Sequence, residues 1–177
     1  MFVDMIYYQK TDSPIGIIHI IASNSALIAV SLQKNWKKTR VIYSELSKNK
    51  NSITEKAVAQ LKEYFSGKRT DFDLPIQLVG TDFQRKTWEA LSQIPYGKTI
   101  SYSEQAKAIK NQKAVRAIGR TNGLNPICII LPCHRVIGKS GSLTGYAGGL
   151  HVKKYLLNLE ANTVTAQHPK RQPGLNI

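Results

Sequence analysis

The chain has 177 residues, 42% hydrophobic and 20% charged, the make-up of a globular protein long enough to bury a substantial core. No apolar run, 127–131 included, is long enough for a membrane span, and its first ten residues lack the positive start of a signal peptide. Two cysteines five positions apart give no disulfide framework, so a reducing, cytoplasmic setting is expected.

Charge is the informative quantity. Twenty-five Lys and Arg against eleven Asp and Glu leave +14. Residues 1–80 carry eleven basic and seven acidic side chains, and residues 81–177 carry fourteen and four. A polyanion such as nucleic acid is therefore expected to meet the second half, general solubility being the alternative reading.

Residues 5–33 read as strands, because IGIIHIIAS and ALIAVSLQ are rich in β-branched residues and break near Asn24-Ser25. The stretch 34–51 is polar and basic and has no clear period. Ser52-Ile53-Thr54-Glu55 has the form of a capping box, followed by Ile53, Ala57, Leu61, Tyr64 and Phe65 at helical spacing, with Gly67 as a stop. This first unit, 1–80 with a linker at about 68–80, gathers no acids, His or Cys and reads as a small structural domain.

Thr81-Asp82-Phe83-Gln84 opens a second capped helix that places Phe83, Ala90, Leu91 and Ile94 on one face and stops at Pro95-Tyr96-Gly97. Two short helices follow, Ser103 to about Ile109 and Lys113 to about Asn122, with a turn at Asn111-Gln112. Such a pair suggests a helix-turn-helix. On the second, Lys113, Arg116 and Arg120 fall on one face, with Ala114, Ala117 and Ile118 opposite. A solvated charged face would look the same, but the small residues Ala114, Ala117 and Gly119 would also let the helix approach a groove closely. A glycine-rich loop, GKSGSLTGYAGGL, leads to a last helix with Val152, Tyr155, Leu156 and Leu159 in register, and 161–177 reads as a loose tail.

Cys133 stands in LPCHRVIG between a proline and His134. A thiol needs a base or a nearby cation to become a nucleophile. In an extended segment neighbours point to opposite faces, so direct contact between Cys133 and His134 needs a bend or a bridging water. Glu160 continues the inward stripe of the last helix, and as an acid at a helix C-terminus it calls for a compensating partner. A carboxylate orienting an imidazole beside a thiol is one reading, and a buried cysteine with a surface histidine is the other. Cys128, within NPICII, has no polar neighbour and reads as core.

Asn125-Pro126 followed by Pro132-Cys133-His134-Arg135-Val136 resembles the active-site signature of the O6-alkylguanine-DNA alkyltransferases. The resemblance extends to PYGKTISY, KAVRAIGRTNGLN, GYAGGL and LLNLE, so it covers nearly all of 81–160; residues 1–80 match only in general character. It implies an α/β fold of the α+β kind, with an N-terminal small sheet-and-helix domain and a C-terminal winged-helix-like domain, 81–160, that uses a helix-turn-helix on the minor groove.

The resemblance also implies the chemistry. An alkyl group from O6-alkylguanine (O4-alkylthymine being left open) would pass once and irreversibly to Cys133 after base flipping, with His134 and Glu160 activating the thiol through a water. Asn125 would brace the cysteine segment, and Tyr102 would lie beside the flipped base and assist proton transfer. Arg116 would enter the stack, while Lys113, Arg120, Ala114 and Ala117 would meet DNA. Tyr146, Ala147, Gly148 and Gly149 would close over the alkyl group, and the backbone of Cys133 and Val136 would read the guanine edge. Ala147 stands where other members carry a polar residue, which leaves only its backbone N–H for the base oxygen. Residues 1–80 hold no cysteine and only His19, so no zinc is expected, nor any other cofactor. The implied protein is a monomer on double-stranded DNA, with no membrane and no obligate protein partner. The rivals are a non-repairing binder of alkylated bases, which would lack the cysteine, a helix-turn-helix regulator with an incidental thiol, and a cysteine hydrolase.

Overall fold

The computed structural model describes residues 5–43, 45–47 and 49–167. Strands β1 (Tyr7–Thr11), β2 (Ile18–Ala22) and β3 (Leu27–Leu32) form an antiparallel sheet in that order. Every residue of β2 and β3 is buried, which explains why these β-branched runs lack polar alternation. Their hairpin closes where Ser23 Oγ accepts the Ala26 N–H at 3.1 Å.

A short 3-10 turn, Gln33–Asn35, leads into α1 (Trp36–Ile42). This helix falls in the stretch that shows no period, and the reason is physical: it buries none of its residues. It is fastened through Trp36, which stacks on His19 at 3.9 Å between ring centroids. The next helix, α2 (Ser52–Phe65), is capped one residue before the expected box. Asn51, not Ser52, is the cap: its side chain accepts the Thr54 N–H, and the Thr54 hydroxyl accepts the Asn51 N–H, both at 3.0 Å. The Asn51 amide also donates to Ser23 O at 2.9 Å, tying the helix to the β2–β3 turn. Ile53, Ala57, Leu61 and Tyr64 face the core as their spacing requires.

In the second half, α3 (Asp82–Glu89) carries the Thr81–Gln84 box read from the sequence. Its buried Trp88 donates from Nε1 to Thr121 O at 2.8 Å. Two-residue strands β4 (Ile100–Ser101) and β5 (Val136–Ile137) pair in parallel. Between them α4 (Tyr102–Ala108) and α5 (Val115–Asn122) form the helix-turn-helix, and Lys113 and Ala114 belong to a 3-10 turn ahead of α5. Buried amides lock the pair: Asn122 Nδ2 donates to Gln105 Oε1 at 2.7 Å, and Gln105 Nε2 donates to Thr87 O at 2.9 Å.

The last helix, α6, runs from Leu150 to Gln167. Residues 161–167, read as loose tail, are therefore helical, and the rest of that tail lies outside the described residues. Thr163 and Val164 account for the extension: β-carbons at Gly67 and Gly97 would come within 3.2 Å of Thr163 Oγ1 and 2.7 Å of Val164 Cγ2, so the glycines make room for the added turns. Glu160 consequently lies inside the helix, and a macrodipole penalty does not explain its partners.

The halves share one core, in which Ile20, Leu27 and Leu61 join Trp88, Ile127 and Leu156. The free edge of β3 also receives both linking segments. Leu27 exchanges bonds with Pro75 O and the Gln77 N–H (2.8 and 3.0 Å), and Val30 with Pro126 O and the Cys128 N–H (2.8 and 3.0 Å). The chain leading to Cys133 is thus fastened to the N-terminal sheet. Among the described residues no helix is long and apolar enough to cross a membrane.

Candidate active site

Asn125 organises the cysteine segment. Its Oδ1 accepts the Ile127 N–H at 3.0 Å, and its Nδ2 donates to Leu131 O at 2.7 Å and to Cys133 Sγ at 3.2 Å. One carboxamide therefore closes the turn and touches the sulfur. The turn passes through Ile129 at φ +74°, a left-handed conformation that costs a β-branched residue about 1–3 kcal/mol. Ile129 is fully buried, and the β3 pairing on one side and the Asn125 bonds on the other hold it there. Cys133 then begins a 3-10 turn that runs to Arg135.

That turn sends His134 and Arg135 inward onto Glu160, and all three are buried. His134 Nε2 meets Glu160 Oε1 at 2.7 Å. Arg135 donates from Nε to Oε2 at 2.9 Å and from Nη2 to Oε1 at 3.0 Å, and its Nη1 donates to Ile94 O at 2.6 Å. The Tyr64 hydroxyl donates to Oε1 at 2.8 Å, and the Gly97 N–H to Oε2 at 3.0 Å. Burial alone would raise the carboxyl, but His134 and Arg135 outweigh it and hold Glu160 at about 2. The same burial lowers His134 against the pull of Glu160, so the imidazole is neutral at pH 7. Because a carboxylate only accepts, the proton sits on Nε2. Nδ1 is left as a lone pair with no hydrogen-bond partner among the described residues.

The sequence reading paired His134 with Glu160, and the two are in contact. It missed Arg135, Tyr64 and Gly97 as partners of that carboxylate. It also missed Lys153, a fully buried lysine whose Nζ donates to Val136 O at 2.7 Å and Thr144 O at 2.9 Å and lies 5.8 Å from the centroid of the Tyr102 ring. A signal existed: Lys153, Leu156 and Glu160 fall at i, i+3 and i+7 of α6, on one stripe. The Cys133 thiol is held below its ordinary value by a hydrogen bond with Cys128 first, then by the Asn125 amide and the Lys153 charge, against the opposing effect of burial. Cys128 is buried as expected. Its surroundings are not purely apolar, for its thiol donates to Asn125 O at 3.6 Å.

The remaining expected residues come from α4, α5 with the turn before it, and the glycine-rich loop. Tyr102 opens α4, its hydroxyl 3.4 Å from Thr144 O and its ring against Gly119 of α5. Tyr146 is half-buried and its hydroxyl is enclosed without a partner among the described residues. Gly148 is buried against Leu32: a β-carbon there would come within 2.5 Å of Leu32 Cδ1 and 3.0 Å of Tyr146 Cε1. Ala147 and Gly149 are half-buried beside it. The carbonyls of Cys133 and Val136 already accept bonds, from the Val136 N–H and from Lys153, and each keeps a second lone pair. On the helix-turn-helix, Lys113, Arg116 and Arg120 are exposed, and no carboxylate among the described residues pairs with them. Ala117 is exposed on the same helix, not on its core side as its spacing suggested, while Ile118 is buried and Ala114 is half-buried.

A family model described as the DNA binding domain of 6-O-methylguanine DNA methyltransferase matches residues 82–162. A second, described as the ribonuclease-like domain of that methyltransferase, matches residues 6–78. A methylated-DNA–protein-cysteine methyltransferase from Methanosarcina barkeri is 46% identical over 158 residues, covering 89% of this chain and 99% of the relative. The chain belongs to the O6-methylguanine-DNA methyltransferase family. Within the family, the crystal structure of the Mycobacterium tuberculosis protein OGT in complex with DNA superposes with a TM-score of 0.81 at 44% identity, covering 89% of this chain and 94% of that one. The O6-methylguanine-DNA methyltransferase of Pyrococcus kodakaraensis, at 20% identity and a TM-score of 0.65, shares the fold.

Proposed function

We propose that this protein repairs DNA by moving one alkyl group from O6-alkylguanine to Cys133, once and irreversibly, as a monomer on double-stranded DNA. The observation that carries the reading is a buried thiol held by Asn125 and followed in the chain by a buried imidazole whose Nε2 is anchored on a carboxylate. Residues 81–160 form the DNA-binding and acceptor unit in this reading, and residues 1–80, with a linker at about 68–80, support it.

The chemistry follows from the protonation states. His134 takes the Cys133 proton at Nδ1, through a water, while Glu160 stabilises the imidazolium that results. The Asn125 amide and the Lys153 ammonium stabilise the thiolate. The sulfur attacks the alkyl carbon, the C–O6 bond breaks, and its electron pair passes to the guanine ring, which takes a proton with the help of Tyr102. Tyr146 and the 147–149 backbone enclose the alkyl group. The product is a thioether, and it has no leaving group that would regenerate the thiol. The base is reached by flipping, which costs a few kcal/mol of unstacking, offset by Arg116 in the gap and by phosphate contacts from the basic face.

Incubation with duplex DNA bearing O6-methylguanine should leave one methyl group per chain by intact-protein mass, mapped to Cys133 and absent from Cys133→Ser. Repeated turnover, or a label on Cys128, would refute the reading. Lys113 and Arg120 should act as phosphate contacts. Replacing either with Ala should weaken duplex binding at every sequence and reduce the slope of log K against log salt by about 1. An unchanged slope would place the DNA elsewhere.

A further inference from the structure

Tyr64 reaches the acceptor site from the N-terminal half, and alkyl transfer to Cys133 assigns it no task. It is fully buried on α2, its ring 5.3 Å from Phe65, 5.6 Å from Phe72 and 5.9 Å from Tyr96 between centroids. Its hydroxyl donates to Glu160 Oε1 at 2.8 Å. Burial, and after it the Glu160 charge, push the phenol well above its ordinary value, so it stays a donor.

The carboxylate that receives this bond is crowded. Oε1 accepts from His134 Nε2 at 2.7 Å, from Arg135 Nη2 at 3.0 Å and from Tyr64; Oε2 accepts from Arg135 Nε at 2.9 Å and the Gly97 N–H at 3.0 Å. Among the described residues, five donors thus share about four lone-pair sites. The excess falls on Oε1, the oxygen that holds the imidazole, and Tyr64 is its donor from outside the His134–Arg135 turn.

We propose that Tyr64 is a positioning residue of the acceptor site: by donating to the oxygen on which His134 leans, it makes the imidazole a weaker base than its carboxylate partner would otherwise make it. A donor on a carboxylate stabilises the charge there and leaves less of it for the other partners. The imidazole therefore gains less from holding a second proton. Such restraint suits a sulfur that can be used once, because an imidazole that drew the proton early would leave a thiolate open to any electrophile. The other titratable groups around the pair are Arg135, whose guanidinium lies 5.4 Å from the centroid of the Tyr96 ring, the Tyr96 and Tyr146 phenols, Cys133, and Lys153 of α6, whose charge opposes a proton on His134. Tyr64→Phe removes one oxygen and leaves each of them in place.

This inference rests on His134 serving as the base for Cys133, but its test uses no DNA, so it can fail while methyl mapping succeeds, and the reverse. Tyr64→Phe keeps the ring contacts and leaves Glu160 its other donors, so it should fold. NMR titration of the His134 ring protons should place their midpoint about half to one pH unit higher in Tyr64→Phe than in wild type. Cys133 should then react with iodoacetamide at pH 7 about three- to tenfold faster, with Cys128 unlabelled by peptide mass. Ala57→Gly, a buried change on the same helix with no bond to the carboxylate, should lower the thermal midpoint by a few degrees and move neither reading. An unmoved His134 titration, or a Cys133 rate that stays level or falls, would overturn the proposal. Equal changes in Tyr64→Phe and Ala57→Gly, or label on Cys128, would overturn it as well, by marking a loosened helix.

Discussion

Replacing Glu160 with Gln should destabilise the protein by about 3–5 kcal/mol at pH 7, because it leaves the buried Arg135 guanidinium without its counter-charge. The amide retains the shape and its Oε1 can still accept from His134 and Tyr64, but its NH2 would face the Arg135 Nε–H and the Gly97 N–H, so the loss combines the charge with two accepted bonds. The pH dependence has a definite sign. The folded carboxyl, at about 2, lies below its ordinary value of 4.5, so the unfolded chain binds the proton more readily. The stability it contributes is fully present above that ordinary value and is lost as pH falls through the folded one, roughly 3 kcal/mol in all. His134 acts in the same direction higher up. Its folded value is lowered from 6.5, so stability also declines as the unfolded imidazole gains a proton below that pH. Urea unfolding should find wild type and Glu160→Gln far apart at pH 7, the gap narrower by about 2 kcal/mol at pH 3, and the remainder lost only as pH falls below the folded value. A constant gap would mean that the carboxylate charge is not what the cluster uses. The variant should also alkylate its thiol more slowly, since the imidazolium formed by proton transfer loses its anchor.

Arg116→Ala should lower the rate of repair of O6-methylguanine in duplex DNA on the order of 10- to 100-fold, corresponding to about 1–3 kcal/mol of lost support for the extruded base. Reaction with free O6-benzylguanine should be nearly untouched, since no base has to be flipped. Arg116 is suited to this because it is exposed, has no carboxylate partner among the described residues, and sits beside exposed Ala117 on α5, where nothing bulky keeps the helix from the groove. Its loss should leave affinity for undamaged duplex close to that of wild type, in contrast to the salt-dependent losses expected for Lys113 and Arg120. The measurement is a pair of second-order rates, duplex and free base, for wild type and variant. Equal loss on both substrates would assign the arginine to the pocket or the fold.

Much of the architecture is local and was therefore legible. The Thr81–Gln84 box, the buried periodicity of α2, the hairpin near Asn24-Ser25 and the paired short helices all depend on residues within a few positions of one another. Where local signals failed, the competing interaction can be named. Helix α1 buries no side chain, so it has no apolar period to find; a histidine on a neighbouring strand holds it through Trp36. The end of α6 is polar in sequence and helical because glycines at 67 and 97 receive it. The capping of α2 shifted by one residue because the Thr54 hydroxyl returns the bond to Asn51.

The site divides along the same line. Adjacency in sequence marked Cys133 and His134, and the inward stripe of the last helix marked Glu160, since residue type and spacing are enough to nominate a thiol, a base and an acid; Asn125 was marked only by the resemblance to the alkyltransferases. Only the folded chain decided how they work. Glu160 collects its donors from α2, from the loop at Gly97 and from the turn at His134–Arg135, and the Tyr64 hydroxyl reaches it across 96 positions of sequence. Likewise β3, in a half of the chain with no chemical signature, fastens the segment that holds both thiols, and its end at Leu32 fills the space beside Gly148. Such contacts carry no periodicity and no motif, because each depends on where distant segments are packed by the common core. The sequence alone determined which groups could react; the tertiary structure decided which of them are charged, which are neutral and which sulfur is held ready, because burial and distant donors set those states.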